Sequence, residues 1–401
     1  MKTSTSLVAA LLLVAGNGVV LAAAPKYTII DLGQINPETA YATQGVNISA
    51  SGIIVGRTLN GQTGASVAFT SLTPGGSLTA LSNTIAVPGG TPLNRNHAIA
   101  YSANSSGVAV GASFSNGRLS GAVPVVWDSQ GHATRLQLTA AAGNTGSAYD
   151  LNASGIAVGG INGGNLRRAQ IWDTQTGAAS SVPLTAEGNY MATAVAINDA
   201  GLIAGQGIDP SNGARNVAMV YDLKTGVNTE IALGGGGNGG LVTDISNSGY
   251  VTGSVTMNQG PLGAFIWRSD LGTRMIDQLA GTSEFAARSV NSSGWVVGSS
   301  SFGVNSMPWL FDGQNTYSVA ELAAGSGWDF MPSDGVLRTF ASATGIADNG
   351  TFVGTGIFNG AAHGYAMVLT SAVPEPASYA LLLGGLAALG QLARRRRQTG
   401  V

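Results

Sequence analysis

Cysteine is absent from this 401-residue chain, which excludes a disulfide framework and any thiolate metal site. Charged residues make up only 9% of the sequence, whereas about a quarter is usual in globular proteins. Charged helix formers are therefore scarce, while 60 glycines and many serine, threonine and asparagine residues favour turns and short strands. Because apolar residues still account for 44% of the chain, it can bury a core. This composition predicts an all-β protein.

The N-terminus, MKTSTSLVAALLLVAGNGVVLAAAPKYT, has the three-part layout of a secretory signal peptide. One positive residue precedes an apolar core at residues 7–15, and Val20-Leu21-Ala22 fits the small-x-small rule for cleavage after Ala22 or Ala23. An uncleaved membrane anchor is the alternative, but Asn17-Gly18 interrupts the apolar run. We therefore predict that residues 1–23 are a removable signal helix.

The C-terminus combines a short turn, an apolar segment and a basic cluster. Seventeen uncharged residues, 377–393, are long enough to cross about 25 Å of hydrocarbon as a helix. The positive-inside rule places the four arginines that follow on the cytoplasmic side, as a stop. The tail therefore predicts a transmembrane helix that leaves the body of the protein outside the inner membrane. The turn consists of Val373, Pro374, Glu375 and Pro376, and the stop consists of Arg394, Arg395, Arg396 and Arg397.

This order of Pro-Glu-Pro, apolar helix and arginine cluster closely resembles the PEP-CTERM sorting signal of Gram-negative bacteria. The resemblance implies recognition by an exosortase, a membrane cysteine transpeptidase that removes the helix and the arginines. It also implies a transient inner-membrane intermediate, a final location at the cell surface or outside the cell, and an association with exopolysaccharide and biofilm matrix. A plain C-terminal anchor is the alternative interpretation of residues 371–401.

Basic residues are few once both terminal segments are removed. The chain has 18 basic and 20 acidic residues, and removing Lys2, Arg394 to Arg397 and Glu375 leaves 13 and 19, a formal charge of −6. A body with this balance offers no basic stripe for a phosphate backbone, so we do not expect it to bind nucleic acid.

A nine-residue phrase, roughly Ile-Asn-x-Ser-Gly-apolar-apolar-Val-Gly, recurs seven times between residues 25 and 370 at steps of 45 to 56 residues. Each copy is typical of a β-hairpin, because small polar residues and a glycine that tolerates left-handed backbone angles separate two apolar stretches. The second glycine indicates crowding, a bulge or a bend. The first glycines, which we expect to form the turns, are Gly52, Gly107, Gly155, Gly201, Gly249, Gly294 and Gly350.

A second phrase follows each first glycine by 15 to 20 residues. It predicts a third strand, which commonly ends in an aromatic residue, and then a turn that leads to a fourth strand. Four strands per unit predict one β-propeller blade, and seven units predict a closed ring. The last unit lacks a fourth strand, whereas residues 27–33 form a strand before the first unit, so we expect this N-terminal strand to close the ring. A β-solenoid or a pair of sandwiches is the alternative.

The two phrases resemble the extracellular HAF repeat, with its His-Ala-Phe-x-Trp strand and its Asn-x-x-Gly-x-x-Val-Gly hairpin. Residues 263–267 (GAFIW) match that strand except for the histidine, and Asp31-Leu32-Gly33 is similar to the family's Asp-Leu-Gly strand. The resemblance spans about residues 27–370 and implies architecture and surface location only.

Residues that carry chemistry are sparse. His97, His132 and His363 stand in different repeats without metal-ligand spacing, so we expect each to be structural or at the surface. The glycine-rich segment 234–240 is followed by a strand rather than a helix, which favours a loop over a nucleotide site. No Gly-x-Ser-x-Gly elbow or phosphate-binding loop is present in the sequence. We therefore expect neither a catalytic residue, nor a cofactor, nor a metal.

Aspartates and aromatic residues in the repeats have two interpretations each. Asp128, Asp173 and Asp222 follow strand-ending aromatics, where they are expected to cap turns, with a repeated calcium site as the alternative. The strand-ending aromatics are expected to pack between units rather than to stack on sugars. Trp328 and Phe330, in the long insert 323–340, are expected to be exposed and to be better candidates for ligand binding, as is Tyr190. The other long step holds residues 82–101.

Three classes of function remain open at this stage. The first is a noncatalytic secreted protein of the extracellular matrix, exopolysaccharide or adhesion type, with the ring as a binding scaffold. The second is a carbohydrate-active enzyme built on a propeller, and the third is a carbohydrate-binding lectin. The sparse acidic and histidine residues favour the first, so we predict that the protein is not an enzyme.

Overall fold

The computed structural model describes residues 24–35, 40–115, 121–139, 145–161, 168–211, 215–233, 239–256, 262–302, 305–331 and 341–371. Residues Lys26–Thr370 form one compact unit. The predicted signal helix, the Pro-Glu-Pro turn, the C-terminal helix and the arginine stop lie outside the described residues. Within the described ranges, no helix is long and apolar enough to cross a membrane.

The described residues are almost entirely β-structure, with one short helix, α1 (Val319–Leu322). The strands are β1 (Lys26–Asp31), β2 (Ala40–Ile48), β3 (Ile54–Asn60), β4 (Ser66–Ser71), β5 (Thr79–Ala80), β6 (Thr84–Ala86), β7 (Leu93–Asn94), β8 (His97–Ala103), β9 (Ala109–Phe114), β10 (Val123–Trp127), β11 (Ala133–Arg135), β12 (Gly146–Leu151), β13 (Ile156–Ile161), β14 (Arg168–Asp173), β15 (Ala179–Ser181), β16 (Tyr190–Ile197), β17 (Leu202–Asp209), β18 (Arg215–Asp222), β19 (Val227–Glu230), β20 (Gly240–Ile245), β21 (Val251–Thr256), β22 (Leu262–Arg268), β23 (Gly272–Met275), β24 (Ser283–Val290), β25 (Val296–Phe302), β26 (Asn305–Phe311), β27 (Thr316–Ser318), β28 (Trp328–Asp329), β29 (Ser342–Ile346), β30 (Phe352–Phe358) and β31 (Ala361–Ser371).

Strand pairing follows the sequence repeat. Four sheets contain four strands each in chain order, namely β12–β15, β16–β19, β20–β23 and β24–β27. The strands of the first two copies, β2–β5 and β8–β11, share one ten-stranded sheet with β6 and β7. A short parallel pairing of β4 with β8 joins these two antiparallel groups, and a second one, of β11 with β6, attaches the β6–β7 hairpin.

The innermost strand of each copy contacts the innermost strand of the next copy. These contacts run in the order β2, β8, β12, β16, β20, β24 and β29, and they return from β29 to β2. In the last sheet, β1 from the N-terminus pairs with β31 from the C-terminal copy. The described strands therefore form a circular, β-propeller-like arrangement.

The hairpin turns of the repeat rest on glycine in the left-handed region. The seven turn glycines have φ between 77° and 95°, a conformation that residues with a side chain rarely adopt. The turn brings the chain directly from the innermost strand into the second strand. The glycines are Gly52, Gly107, Gly155, Gly201, Gly249, Gly294 and Gly350.

A β-bulge interrupts the innermost strand of every copy shortly before its turn. In six copies one extra residue sits in the strand, and in the first copy the register shifts between Gln44 and Asn47. A bulge bends its strand and re-aims the neighbouring side chains. The six extra residues are Tyr101, Tyr149, Val195, Thr243, Arg288 and Thr344.

The second glycine of the motif lies against the bulged strand. A Cβ at Gly159 would lie 2.0 Å from the carbonyl oxygen of Ser147, and one at Gly354 would lie 1.9 Å from that of Ser342. Real Cβ atoms do not approach a backbone oxygen so closely, so glycine is required by crowding at the bulge. In four further copies the corresponding glycine is equally crowded or nearly so, and in the first copy Gly56 lies against the ring of Phe69.

The strand-ending aromatics Trp127, Trp172, Tyr221 and Phe311 are buried, whereas Trp267 is half-buried. Trp127 and Trp172 are fully buried. The indole N–H of Trp127 donates to the carbonyl of Ser82 at 2.9 Å, and that of Trp172 donates to Gln137, in each case in the preceding copy. These rings therefore serve packing and are closed to a sugar ligand.

The prediction that Trp328 and Phe330 are exposed is wrong. Phe330 is 1% exposed and Trp328 is half-buried, because β28 pairs with β30 and carries both rings onto the last sheet. Trp328 stacks on Phe358 with ring centroids 5.0 Å apart, and Phe330 packs edge-on against Tyr365 at 5.1 Å. Burial of apolar ring surface explains why this part of the insert folds back instead of projecting.

Candidate functional site

The hairpin turns of the repeat converge on one cavity of about 350 Å³. Residues from all seven copies line it, and they are mostly serine, asparagine and aspartate with the turn backbone. Four aspartates, Asp150, Asp199, Asp244 and Asp348, contribute to the wall, and its lining includes no lysine, arginine or histidine. The described wall is therefore polar and acidic.

The asparagine of the motif joins neighbouring copies. Asn152 Oδ1 accepts hydrogen bonds from the backbone N–H groups of Ser154 (3.1 Å) and Ile156 (3.0 Å), which closes its own turn. Its Nδ2 donates to the carbonyl of Asn198, the equivalent residue of the next copy, at 3.3 Å. A side-chain amide accepts at its oxygen and donates at its separate nitrogen, which suits a residue that closes its own turn and bridges to the next copy. The same donation occurs from Asn104 to Asn152, from Asn198 to Ser246 and from Asn291 to Ala347.

Replacing this amide should separate the two roles. Asn152→Ala leaves two turn N–H groups without their acceptor and removes the bridge to the carbonyl of Asn198, which keeps the N–H of Gly201, so we expect the free energy of unfolding to fall by about 2 kcal/mol. Asn152→Ser keeps an acceptor, as Ser246 does when its Oγ accepts from the N–H of Tyr250 at 3.1 Å, so about half of that loss is expected. Urea unfolding of the three proteins measures both values. Equal stability of Asn152→Ala and the wild type would contradict the bridging role.

Two aspartates form a second set of bridges, two residues before the asparagine position. Asp150 accepts from Ser102 Oγ at 2.6 Å and from the N–H of Ile197 at 2.7 Å, and so ties three consecutive copies together. Asp244 accepts from Ser289 Oγ at 2.6 Å and from the N–H of Val290 at 2.9 Å. Each carboxylate also accepts from the N–H of the residue that follows it. These contacts explain why a polar residue stands in an otherwise apolar strand.

Burial dominates the protonation of these two carboxyl groups. It raises the pKa of Asp150 to about 6 and that of Asp244 to about 7, although the serine and backbone donors act in the opposite direction. A pair of carboxyl groups with raised pKa in one cavity is the arrangement that an acid–base enzyme would use. Here, however, three hydrogen bonds from the surrounding strands occupy each group, so the described contacts assign them a bridging role.

The raised pKa values predict a pH dependence of stability. An unfolded aspartate titrates near pH 3.9, so between about pH 4 and pH 7 the folded protein holds more protons than the unfolded chain. The stabilisation of the folded state that Asp150 and Asp244 contribute is therefore complete below about pH 4, and it is lost as the pH rises through 6 and 7. We expect Asp244→Asn to flatten this fall in the free energy of unfolding. Asp173→Asn, at an exposed turn where backbone donors lower the pKa, should leave it unchanged. Urea titrations from pH 5 to pH 8 test this, and identical slopes in all three proteins would contradict it.

The polar contacts continue from the seventh copy to the first. The N–H of Asp348 donates to the carbonyl of Ala50 at 3.2 Å, and Thr344 Oγ1 donates to the carbonyl of Val46. At Gly345 an added Cβ would lie 2.1 Å from Asn47 Oδ1, so glycine is required where the first copy meets the last. The cavity wall is therefore continuous at this junction.

The aspartates after the strand-ending aromatics cap their turns. Asp173 Oδ1 accepts from the N–H groups of Gln175 (2.9 Å) and Thr176 (3.0 Å), and Asp128 Oδ1 accepts equally from Gln130 and His132. Such backbone donors lower the pKa of Asp128, Asp173 and Asp222. The capping interpretation therefore explains these residues. Within the described part of the chain, no group of three potential metal-ligating side chains occurs.

The three histidines lie apart in the fold. His97 is buried and stacks on Phe114 with ring centroids 5.2 Å apart. His132 pairs with Asp128 at 3.0 Å on the surface, and His363 pairs with Asp31 at 3.0 Å across the junction of β31 and β1. Tyr190 is half-buried beneath the guanidinium of Arg168, 4.1 Å from its ring centre.

Sequence reasoning missed Asp150, Asp244 and the bridging role of the asparagines. One signal was available: a polar residue stands five positions before the turn glycine in five of the seven copies, within an apolar strand. The residues that line the cavity come from the inner strands and hairpin turns to which the seven turn glycines belong, but the glycines themselves do not line it. The predicted sorting residues 373–376 and 394–397 lie outside the described residues.

Comparison with solved structures returns distant similarities. A selenomethionine-substituted virginiamycin B lyase from Staphylococcus aureus superimposes with a TM-score of 0.48 at 10% identity, over 86% of this chain and 100% of that one. U3-55K gives 0.47 at 9% identity over 86% and 100%, and a Trypanosoma rangeli sialidase gives 0.39 at 10% over 94% and 62%. Scores of this size transfer no activity to the chain. A search of curated proteins finds no significant match.

One family model matches the sequence, at its C-terminal end. It describes the PEP-CTERM protein-sorting motif and covers residues 372–397, which include the Pro-Glu-Pro turn, the apolar segment and the four arginines. Such a motif implies export, membrane-anchored sorting to the cell surface and processing by an exosortase. The match therefore supports the assignment of this chain as a PEP-CTERM protein.

Proposed function

We propose that the chain is a noncatalytic surface protein of the extracellular matrix, exopolysaccharide or adhesion type, and that its body is a seven-bladed β-propeller acting as a binding scaffold. The match of residues 372–397 to the sorting motif carries the surface assignment. The cyclic order of innermost-strand contacts, with β2–β5 and β8–β11 counted as separate blades, supports the blade number. The HAF-like repeats fit the same extracellular setting.

The proposal assigns the termini to processing. The signal peptide, residues 1–23, is removed on export, and an exosortase then cuts near Val373-Pro374-Glu375-Pro376 and releases the body from its membrane helix. Arg394 to Arg397 hold the helix in place until that step. The exosortase is therefore the processing partner, and the inner membrane is a transient one.

Intact-mass analysis of both termini in fractionated cells tests this assignment. We expect the surface fraction to contain a chain that begins near Ala23 or Ala24 and ends near the Pro-Glu-Pro turn. Replacing Pro374, Glu375 and Pro376 together with alanine should leave a chain ending at Val401 in the inner membrane, as should loss of the exosortase. Lysine in place of all four arginines keeps the charge and serves as the control. A wild-type protein that stays intact in the inner membrane would overturn the proposal.

The carbohydrate-active enzyme is the second candidate, and Asp150 and Asp244 are the residues that favour it, since both line one cavity with a raised pKa. Turnover of polysaccharides by the wild type, lost in Asp150→Asn and Asp244→Asn, would establish it. Binding on a glycan array without turnover would instead favour the lectin. The noncatalytic proposal expects no turnover with any polysaccharide.

A further inference from the structure

Among the described basic residues, Arg57 has a buried guanidinium nitrogen without a partner, as does Arg168. Arg57 lies on β3, opposite Gln44 of β2, and is half-buried close to Tyr101 of the neighbouring copy. Its Nη2 makes one long hydrogen bond of 3.5 Å to Gln44 Oε1, and its Nε is buried without a partner. By contrast, Arg268 holds Asp270 with two bonds of 2.6 and 2.9 Å. Arg57 therefore keeps unused donors at a site partly removed from water.

No counter-ion compensates this guanidinium within the described part of the chain. None of the described carboxylates forms an ion pair or hydrogen bond with it, and burial lowers the pKa of Arg57. The nearest titratable groups are Tyr101 and His97, and the positive charge of Arg57 itself contributes to lowering the pKa of His97. A buried donor without a partner costs stability. An anion from outside the chain would supply the missing counter-charge.

The ring of Tyr101 lies beside the guanidinium, and the ring of Tyr149 adjoins Tyr101. Tyr101 and Tyr149 are the bulge residues of the second and third copies, and their ring centroids are 5.4 Å apart at an angle of 53°. Both are half-buried, so part of each ring stays accessible. Aromatic faces and edges of this kind stack on flat or apolar ring surfaces. The bulges therefore place the ring of Tyr101 beside a cation that lacks an anion, and the ring of Tyr149 against that of Tyr101.

We propose that Arg57 binds an oxyanion, a carboxylate or a sulfate, of a ligand whose ring packs on Tyr101 and Tyr149. A planar guanidinium fork recognises both groups through paired charge-assisted hydrogen bonds. The ligand class that combines an oxyanion with such a ring is an acidic sugar. A free inorganic or small organic anion is the other source of the oxyanion. The inference deepens the proposed matrix function by naming the charge of the glycan that the scaffold takes.

Binding to the purified mature protein tests the proposal with oligogalacturonate, sodium acetate and sodium sulfate, each compared with sodium chloride at equal ionic strength. We expect oligogalacturonate to bind and to raise the melting midpoint of the wild type. Arg57→Met, which keeps the aliphatic stem, should weaken that binding by about tenfold or more, as expected for the loss of a charge-assisted contact. Arg274→Met, at an exposed arginine, is the matched control and should bind like the wild type.

A second measurement separates ligand binding from a structural role. Without ligand, Arg57→Met should melt at the same temperature as the wild type or higher, because it removes an unpartnered buried donor; a clear loss of stability would overturn the proposal.

Tyr149→Ala should weaken oligogalacturonate binding but not the response to acetate or sulfate, whereas equal responses to all three anions would assign the site to a free anion. The proposal would be overturned if none of the three anions bound or raised the melting midpoint beyond the effect of sodium chloride. It would also be overturned if Arg57→Met responded to them like the wild type. Failure of surface sorting in cells leaves these measurements on purified protein unaffected, so the two proposals fail separately.

Discussion

Deleting residues 24–35 from the body is expected to abolish its folding, whereas moving them behind Ser371 is expected to preserve it. The segment contains β1, which supplies the outer strand of the last sheet. The N–H of Leu32 donates to the carbonyl of Gly364 at 3.0 Å, and Thr370 Oγ1 donates to the carbonyl of Lys26 at 3.0 Å. These two contacts show that β1 runs antiparallel to β31, so the end of β31 lies next to the start of β1.

The side chains of this segment tie the last copy to the first. Tyr27 packs edge-on against Phe352 with centroids 5.0 Å apart, and Leu32 is buried in a cluster with Ile54 and Phe69 of the first copy. Deletion exposes the edge of β31 together with this apolar surface. The expected loss is comparable to the whole net stability of a domain, about 5–15 kcal/mol.

The permuted chain is the matched control for the deletion. A short loop from Ser371 to residue 24 restores the strand in the same position, so we expect a cooperative melting transition at or above that of the wild type. Circular dichroism and thermal melting of the three proteins measure this. A deletion variant that stays folded, or a permuted chain that does not fold, would contradict the role of β1 as the closing strand.

Gly159→Ala is expected to destabilise the body by about 3 kcal/mol or more, because the new methyl group would overlap a backbone oxygen that cannot move independently of its strand. That oxygen, of Ser147, would lie 2.0 Å from the Cβ, and the Cα of Ala148 would lie at 3.0 Å. Relief requires straightening the bulge at Tyr149, which would displace Asp150 from its bridges. The substitution should therefore also lower the cooperativity of unfolding.

The adjacent residue gives a control in the same strand. Gly160 faces the opposite side of β13, where an added Cβ would lie 3.2 Å from the methyl group of Thr193, a side chain that can shift. We expect Gly160→Ala to change the free energy of unfolding by less than about 1 kcal/mol. Urea unfolding compares the two variants. Similar effects at both positions would show that crowding at the bulge is not the reason for the motif glycine.

The sequence carried the repeat, the hairpin turn and the closing strand because each depends on local patterns. A glycine after small polar residues predicts a turn wherever it occurs, and the missing fourth strand of the last copy matches the extra strand at residues 27–33. Crowding, a bulge and a bend were the three interpretations of the second glycine. In the structure the glycine is crowded by the bulged strand beside it. The turn and each single copy needed only a window of a few dozen residues, whereas the closing strand followed from comparing the two ends of the repeat region.

Long-range contacts set the features that sequence reasoning missed. The amide of Asn152 reaches a carbonyl 46 residues away, and no local pattern shows that a turn residue also bridges two copies. Trp328 and Phe330 were expected to project from an insert, yet pairing of β28 with β30 buries or half-buries them. Arg57 stands in an ordinary strand position, and its lack of a counter-ion becomes visible only once the neighbouring copy is in place.

The central claim is that the first and seventh copies are neighbours in a closed ring. Because the chain has no cysteine, a pair introduced by Ala50→Cys and Asp348→Cys would be the only thiols present. The backbones of these residues are joined by a 3.2 Å hydrogen bond, so a short thiol cross-linker should join them within the monomer in high yield. Ala50→Cys with Thr176→Cys, in an outer turn of the third copy, should not react in this way. Cross-linking of the second pair but not the first would mean an open array and would contradict the ring.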